Sequence, residues 1–167
     1  MKIKTIALSE IKTKEITLFF GLLFVASIAP LIGSQAVTGP AVNATLFLAT
    51  VFIGIQGAVG IALLPSIVAL STGMLPAATF PLVPFIMTGN VILVLVFKYF
   101  SQNFWKGVIF ASFAKFLFLY AASFLVLNNL LEGAVLGQVS VMMSWPQLLT
   151  ALTGGVIAFG AKSFFKI

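Results

Sequence analysis

Histidine, cysteine, aspartate and arginine are all absent from this chain, and each absence removes some chemistry. Without Cys there is neither a disulfide framework nor a thiol nucleophile. Without His there is no imidazole to pair with a hydroxyl, and without either there is no soft-metal site. Carboxylates are almost as scarce. Glu10, Glu15 and Glu132 are the only three, and they are too scattered for paired-carboxylate catalysis inside a membrane. The residues therefore point away from an enzyme and imply no cofactor and no metal.

Charge of any kind is rare: 7% of the 167 residues are charged and 61% are hydrophobic, with a mean hydropathy of +1.22. Soluble domains carry about 25% charged residues, so a surface this apolar has to face lipid. At about 20 residues per helical span and about 6 per connection, the length allows roughly six spans in a single domain. The net charge of +6 does not indicate nucleic acid, because the lysines lie almost entirely outside the apolar runs.

Along the chain, residues 1–15 read as a lysine-rich cytoplasmic lead-in, with Glu10 and Lys14 at helical i,i+4 spacing. The first apolar run, Ile16 to Gly33, also has a signal-peptide aspect in Ser27-Ile28-Ala29, but Pro30 follows and the run continues beyond it. Ser34 to Pro40 reads as a loop. Ala41 to Leu70 is too long for one ordinary span and is interrupted by Gly54, Gln56, Gly57 and Gly60. It divides into short helices at 41–55 and 57–70, with a kink expected at Pro65. Ser71 to Pro81 is irregular, and the remaining spans are expected at 81–97, 107–127 and 145–161.

The fold class expected is an all-α integral membrane protein of the cell membrane, a compact bundle of six transmembrane helices. Lysines concentrate in cytoplasmic loops, which gives a test of the span count. With six spans, eight of the nine lysines fall on one side: Lys2, Lys4, Lys12, Lys14, Lys98, Lys106, Lys162 and Lys166. Both termini are then cytoplasmic, with Tyr99 and Trp105 at the inner interface and Trp145 at the outer. Treating 41–70 as one span would divide those eight evenly. In the last span Ala151, Gly154, Gly155, Ala158 and Ala161 make a small-residue stripe suited to close helix packing.

Lys115 is the ninth lysine. It lies eight residues beyond Gly107, about 12 Å into a hydrocarbon core about 30 Å thick. Its stem is too short to bring the ammonium to the headgroups, so it is expected to face the bundle interior or a wet cavity. No carboxylate lies in a predicted span. A bound anion or neutral hydrogen-bond partners must therefore stabilise it. Asn90, nine residues from Pro81, falls at nearly the same depth, whereas Asn43 is expected at the outer end of its span. Further polar residues gather on the outer side, among them Gln35, Thr38, Thr72, Trp145 and Gln147, and suggest an outward pocket with Lys115 and Asn90 at its floor. Gly155 to Ser163 (GVIAFGAKS) imitates a phosphate-binding loop, but Ala161 displaces the lysine and the segment ends an apolar helix, so ATP binding is not expected.

A six-span chain with no nucleotide site and an outward polar pocket resembles the substrate-binding (S) component of energy-coupling factor (ECF) transporters. The resemblance spans nearly the whole chain and is strongest from Val37 to Asn90, through Thr38-Gly39-Pro40, Asn43, the Gly-rich turn, Gly73-Met74-Leu75-Pro76 and Gly89-Asn90. It implies capture of a small, vitamin-like solute and docking on a membrane coupling protein driven by two cytoplasmic ATPase subunits. The positions it singles out for substrate are Gln35, Thr38, Asn43, Thr72, Met74, Asn90, Lys115, Tyr120, Trp145 and Gln147. For partner docking it singles out small residues of the first helix, Ala26, Ala29 and Gly33. Two other functions fit the composition: a non-transporting scaffold of a cell-envelope complex, in which polar residues serve packing alone, and a stand-alone facilitator or channel.

Overall fold

The computed structural model describes residues 2–73, 77–130, 137 and 140–164, and among these there is no strand. Among the described residues the α-helices are α1 (Lys2–Ile28), α2 (Gln35–Phe52), α3 (Ile55–Ser71), α4 (Val83–Tyr99), α5 (Phe104–Leu130) and α6 (Trp145–Phe164). Short 3₁₀ turns follow α1 (Ala29–Ile32) and precede α4 (Ala77–Leu82). Among the described residues, five helical segments are long and apolar enough to cross a membrane, while Ile55–Ser71 is apolar but shorter. The chain is a helical membrane protein.

The first turn corrects the sequence reading. Ser34 to Pro40 is not a loop, because α2 already starts at Gln35 and Pro40 lies inside it. A proline there deprives the Ala36 carbonyl of its helix partner, yet Ala36 is exposed at the helix end, where the loss is cheap. The preceding chain direction is set by Gly33, whose left-handed φ of 73° lets its N–H donate to the Pro30 carbonyl and close the 3₁₀ turn. The Thr38 hydroxyl then donates to the carbonyl of Ala29, the first residue of the 3₁₀ turn, at 2.9 Å. At the other end of α2, Ile53 and Gly54 alone separate it from α3, and Gly54 adopts a φ of 92° that favours glycine. The division of the long apolar run into two helices therefore holds, at 35–52 and 55–71 rather than 41–55 and 57–70.

The helices pack most extensively as α2 against α6 and α4 against α5. The α2–α6 pair run in the same direction and touch almost backbone to backbone. A Cβ on Gly39 would lie 2.7 Å from the Thr150 Cβ, and one on Gly154 would lie 2.7 Å from the Asn43 Cβ and 2.9 Å from the Pro40 carbonyl oxygen. Ala151, Gly154, Gly155 and Ala158 are all buried, so the small-residue stripe of the last helix serves packing within the bundle. Toward the C-terminal end of α4, Phe47, Phe97, Phe104, Phe159 and Trp105 form a chain of ring contacts with centroids 4.8 to 5.5 Å apart, mostly edge-on or tilted. The Lys162 ammonium caps this stack 5.6 Å from the Phe104 ring centre. On the outside, α1 exposes Ile16, Phe20, Phe24, Val25 and Ile28, a surface suited to lipid tails.

Candidate functional site

Three helices converge on Lys115. The side chain is 4% exposed, and its Nζ donates to Asn43 Oδ1 of α2 at 2.7 Å and to Asn90 Oδ1 of α4 at 2.8 Å. Asn90 in turn donates through Nδ2 to the Ala62 carbonyl of α3 at 3.2 Å, in the turn that Pro65 interrupts. Glycine makes both approaches possible. Gly154 lets α2 close on α6 at Asn43, and Gly89, whose Cβ would stand 3.1 Å from Leu119 Cγ, lets α4 close on α5 beside Asn90.

The ammonium is thus held by neutral amide oxygens, with no carboxylate beside it among the described residues. An ammonium has three N–H donors, and two are used here. Lys115 also lines a cavity of about 290 Å³, at the small end of ligand-sized pockets, which run about 300–1,000 Å³. The walls are largely apolar: Pro30, Val42, Pro65, Ala69, Ile86 and Met142. Both Gln35 and Gln147 donate their side-chain amide to the Met142 carbonyl at 3.0 Å. These two contacts tie the starts of α2 and α6 to the segment that leads into α6.

Of the ten substrate positions expected from sequence, the cavity brings six together: Lys115, Asn90, Asn43, Gln35, Thr38 and Gln147. Asn43 is deeper than expected. It is 1% exposed and directly bonded to Lys115, because the earlier start of α2 places it eight residues into the helix, about 12 Å from its end. Thr72 ends α3 on the surface and donates its hydroxyl to the Val68 carbonyl at 2.8 Å. Tyr120 is exposed, and its ring lies 5.7 Å from Phe116 and 5.2 Å from Phe124 on the outward face of α5. Trp145 is exposed at the start of α6. None of these three lines the cavity, and Met74 lies outside the described residues, as do Glu132 and Gln138. Of the docking positions, Ala26 and Ala29 are buried in the bundle core and Gly33 lines the cavity.

Sequence reasoning missed the walls. Pro30, Val42, Pro65, Ser66, Ala69, Ile86 and Met142 line the cavity but look like any other apolar or small residue of a span. Only the prolines gave a signal, as interruptions on the same side of the membrane. No family model, curated protein or solved structure matches the chain.

Proposed function

We propose that this protein is a substrate-capture membrane subunit, of the kind found in ECF-type importers, that binds a small anionic, vitamin-like solute in the cavity above Lys115. One observation carries the reading. Lys115 is buried, is held by two neutral amide oxygens with no carboxylate beside it among the described residues, and lines a cavity. Burying a cation costs several kcal/mol in such a setting, and an anionic ligand would offset that cost each time it binds. A scaffold whose polar residues served only packing would need no cavity at this point, so the cavity weighs against that alternative.

In this reading the chain sits in the cell membrane with six spans. The lysine-bearing ends of α1, α4, α5 and α6 face the cytoplasm, and the cavity opens to the outside. The energy for uptake comes from a separate coupling protein and its ATPase subunits, since the chain has no nucleotide site of its own. Docking is not assigned to Ala26 and Ala29, which the bundle itself covers.

The test is a thermal-shift screen of the purified protein against a library of carboxylated and neutral vitamins. A ligand that binds only the folded state raises its stability by mass action. The expected result is a rise with at least one carboxylated compound that disappears in Lys115→Met. No rise with any compound, in a protein that elutes as a single folded species, removes the capture reading. Recovery with cell-envelope synthesis proteins, and without a coupling protein, would favour a scaffold.

A further inference from the structure

Buried hydroxyls in this bundle have an ordinary outlet. Thr45, Thr50, Ser123 and Thr150 each donate to a backbone carbonyl three or four residues earlier in their own helix. Ser66 of α3 does not. It is 5% exposed, and its hydroxyl has no hydrogen-bond partner among the described residues. The reason lies in Asn90. The carbonyl four residues before Ser66 is that of Ala62, which receives the Ser66 N–H as part of the helix and also the Asn90 Nδ2 at 3.2 Å. A carbonyl oxygen has two lone pairs, and both are taken. The Ser112 hydroxyl also lacks a partner, but it is sealed in the core, whereas Ser66 lines the cavity.

Asn90 therefore governs two groups at once. Its Oδ1 accepts from Lys115, and its Nδ2 occupies the acceptor that the Ser66 hydroxyl would otherwise use. Ser66 stands four residues beyond Ala62, about 6 Å along α3, and shares the cavity wall with Lys115. From this arrangement we infer that Ser66 is a ligand-binding residue, whose hydroxyl donates to the same anionic group that Lys115 pairs with. A carboxylate suits both, since it accepts at each of its two oxygens and bonds to an ionised group are the stronger kind. The inference rests on the capture reading and adds to it a contact from α3.

The chain has no cysteine, so Ser66→Cys introduces a single thiol of nearly the same size. Two methanethiosulfonates of opposite charge, the sulfonatoethyl and the trimethylammonioethyl reagents, probe it in the full chain in lipid nanodiscs. Each transfers its thioalkyl group to the thiol as a disulfide and releases methanesulfinate. Relative to their rates with a free thiol in solution, the anionic reagent should react at least about tenfold faster than the cationic one, and Lys115→Met should remove that preference. The attached sulfonate is tethered within reach of the ammonium. It should raise the melting temperature by about 2–4 °C when Lys115 is present and not in Lys115→Met. For the hydroxyl itself, benzoate affinity by isothermal titration should fall about tenfold in Ser66→Ala, the weight of one hydrogen bond to a charged group, while the melting temperature is no lower than the parent's. A thiol that does not react, equal relative rates, a tethered sulfonate that does not stabilise, or benzoate binding that is absent or indifferent to Ser66→Ala overturns the inference. Capture itself stands or falls separately, on the vitamin screen.

Discussion

The two halves of the bundle solve the same packing problem in opposite ways. Toward the ends that carry Lys98, Lys106 and Lys162, the helices close on one another through fully buried Phe47 and Phe97 and a run of aromatic contacts. Toward the ends that carry Ser34 and Trp145, Pro30, Pro40 and Pro65 interrupt the backbone ladders and the helices part around a cavity. Lys115 lies at the boundary between the halves. The same six helices thus provide a rigid base and an open cup, and the buried charge sits where one gives way to the other.

That contrast predicts where substitutions cost stability and where they cost binding. The largest expected effect is Phe97→Ala, which empties the centre of the aromatic stack and should lower unfolding free energy by about 3–5 kcal/mol in detergent thermal or denaturant melts. Next comes Gly154→Ala. Its new methyl meets α2 backbone atoms that cannot rotate away, and a loss of about 1–3 kcal/mol is expected by the same measurement. Ile86→Trp, in the open half, should behave differently: the larger side chain enters the cavity, so the melting temperature stays near that of the parent while ligand response disappears. If it destabilises as much as Phe97→Ala, the cavity is not an open cup. A small gain is expected for Ser112→Ala. The hydroxyl of Ser112 is buried without a hydrogen-bond partner, and removing it should stabilise by about 0.5–1 kcal/mol. Gly160→Ala should cause no loss and at most a small gain, about 0.5 kcal/mol, since the new methyl meets nothing within 4 Å and alanine favours the helix. A large loss there would mean that the exposed side of α6 is covered in the membrane.

Lys115 and Asn90 were legible in the sequence because the apolar runs on either side fixed their depth, and a charge at that depth has few alternatives. Asn43 was not placed correctly. Thr38, Gly39 and Pro40 are turn formers by local preference, but contact with α6 keeps that stretch helical, with Gly39 giving room to Thr150 and Pro40 buried against its neighbours. The change in the start of α2 moved Asn43 from the membrane edge to the ammonium. Tyr120 illustrates the opposite failure. The family resemblance singled it out for substrate, but its position on α5 turns it outward, onto Phe116 and Phe124. Depth along a helix can be read from the chain, whereas the direction a side chain faces depends on which neighbour the helix packs against.

By itself the sequence determined that the chain lives in a membrane, that a glycine-marked break divides the long apolar run of residues 41–70, and that one lysine falls inside an apolar run holding no carboxylate. Composition and residue spacing suffice for these, because lipid penalises charge and exposed backbone wherever they occur. Tertiary structure alone decided which amides hold that lysine, that two glutamines share one carbonyl, and that a cavity opens beside them. Those features depend on which helices are neighbours and how closely glycine lets them approach, and neither is encoded locally in the chain.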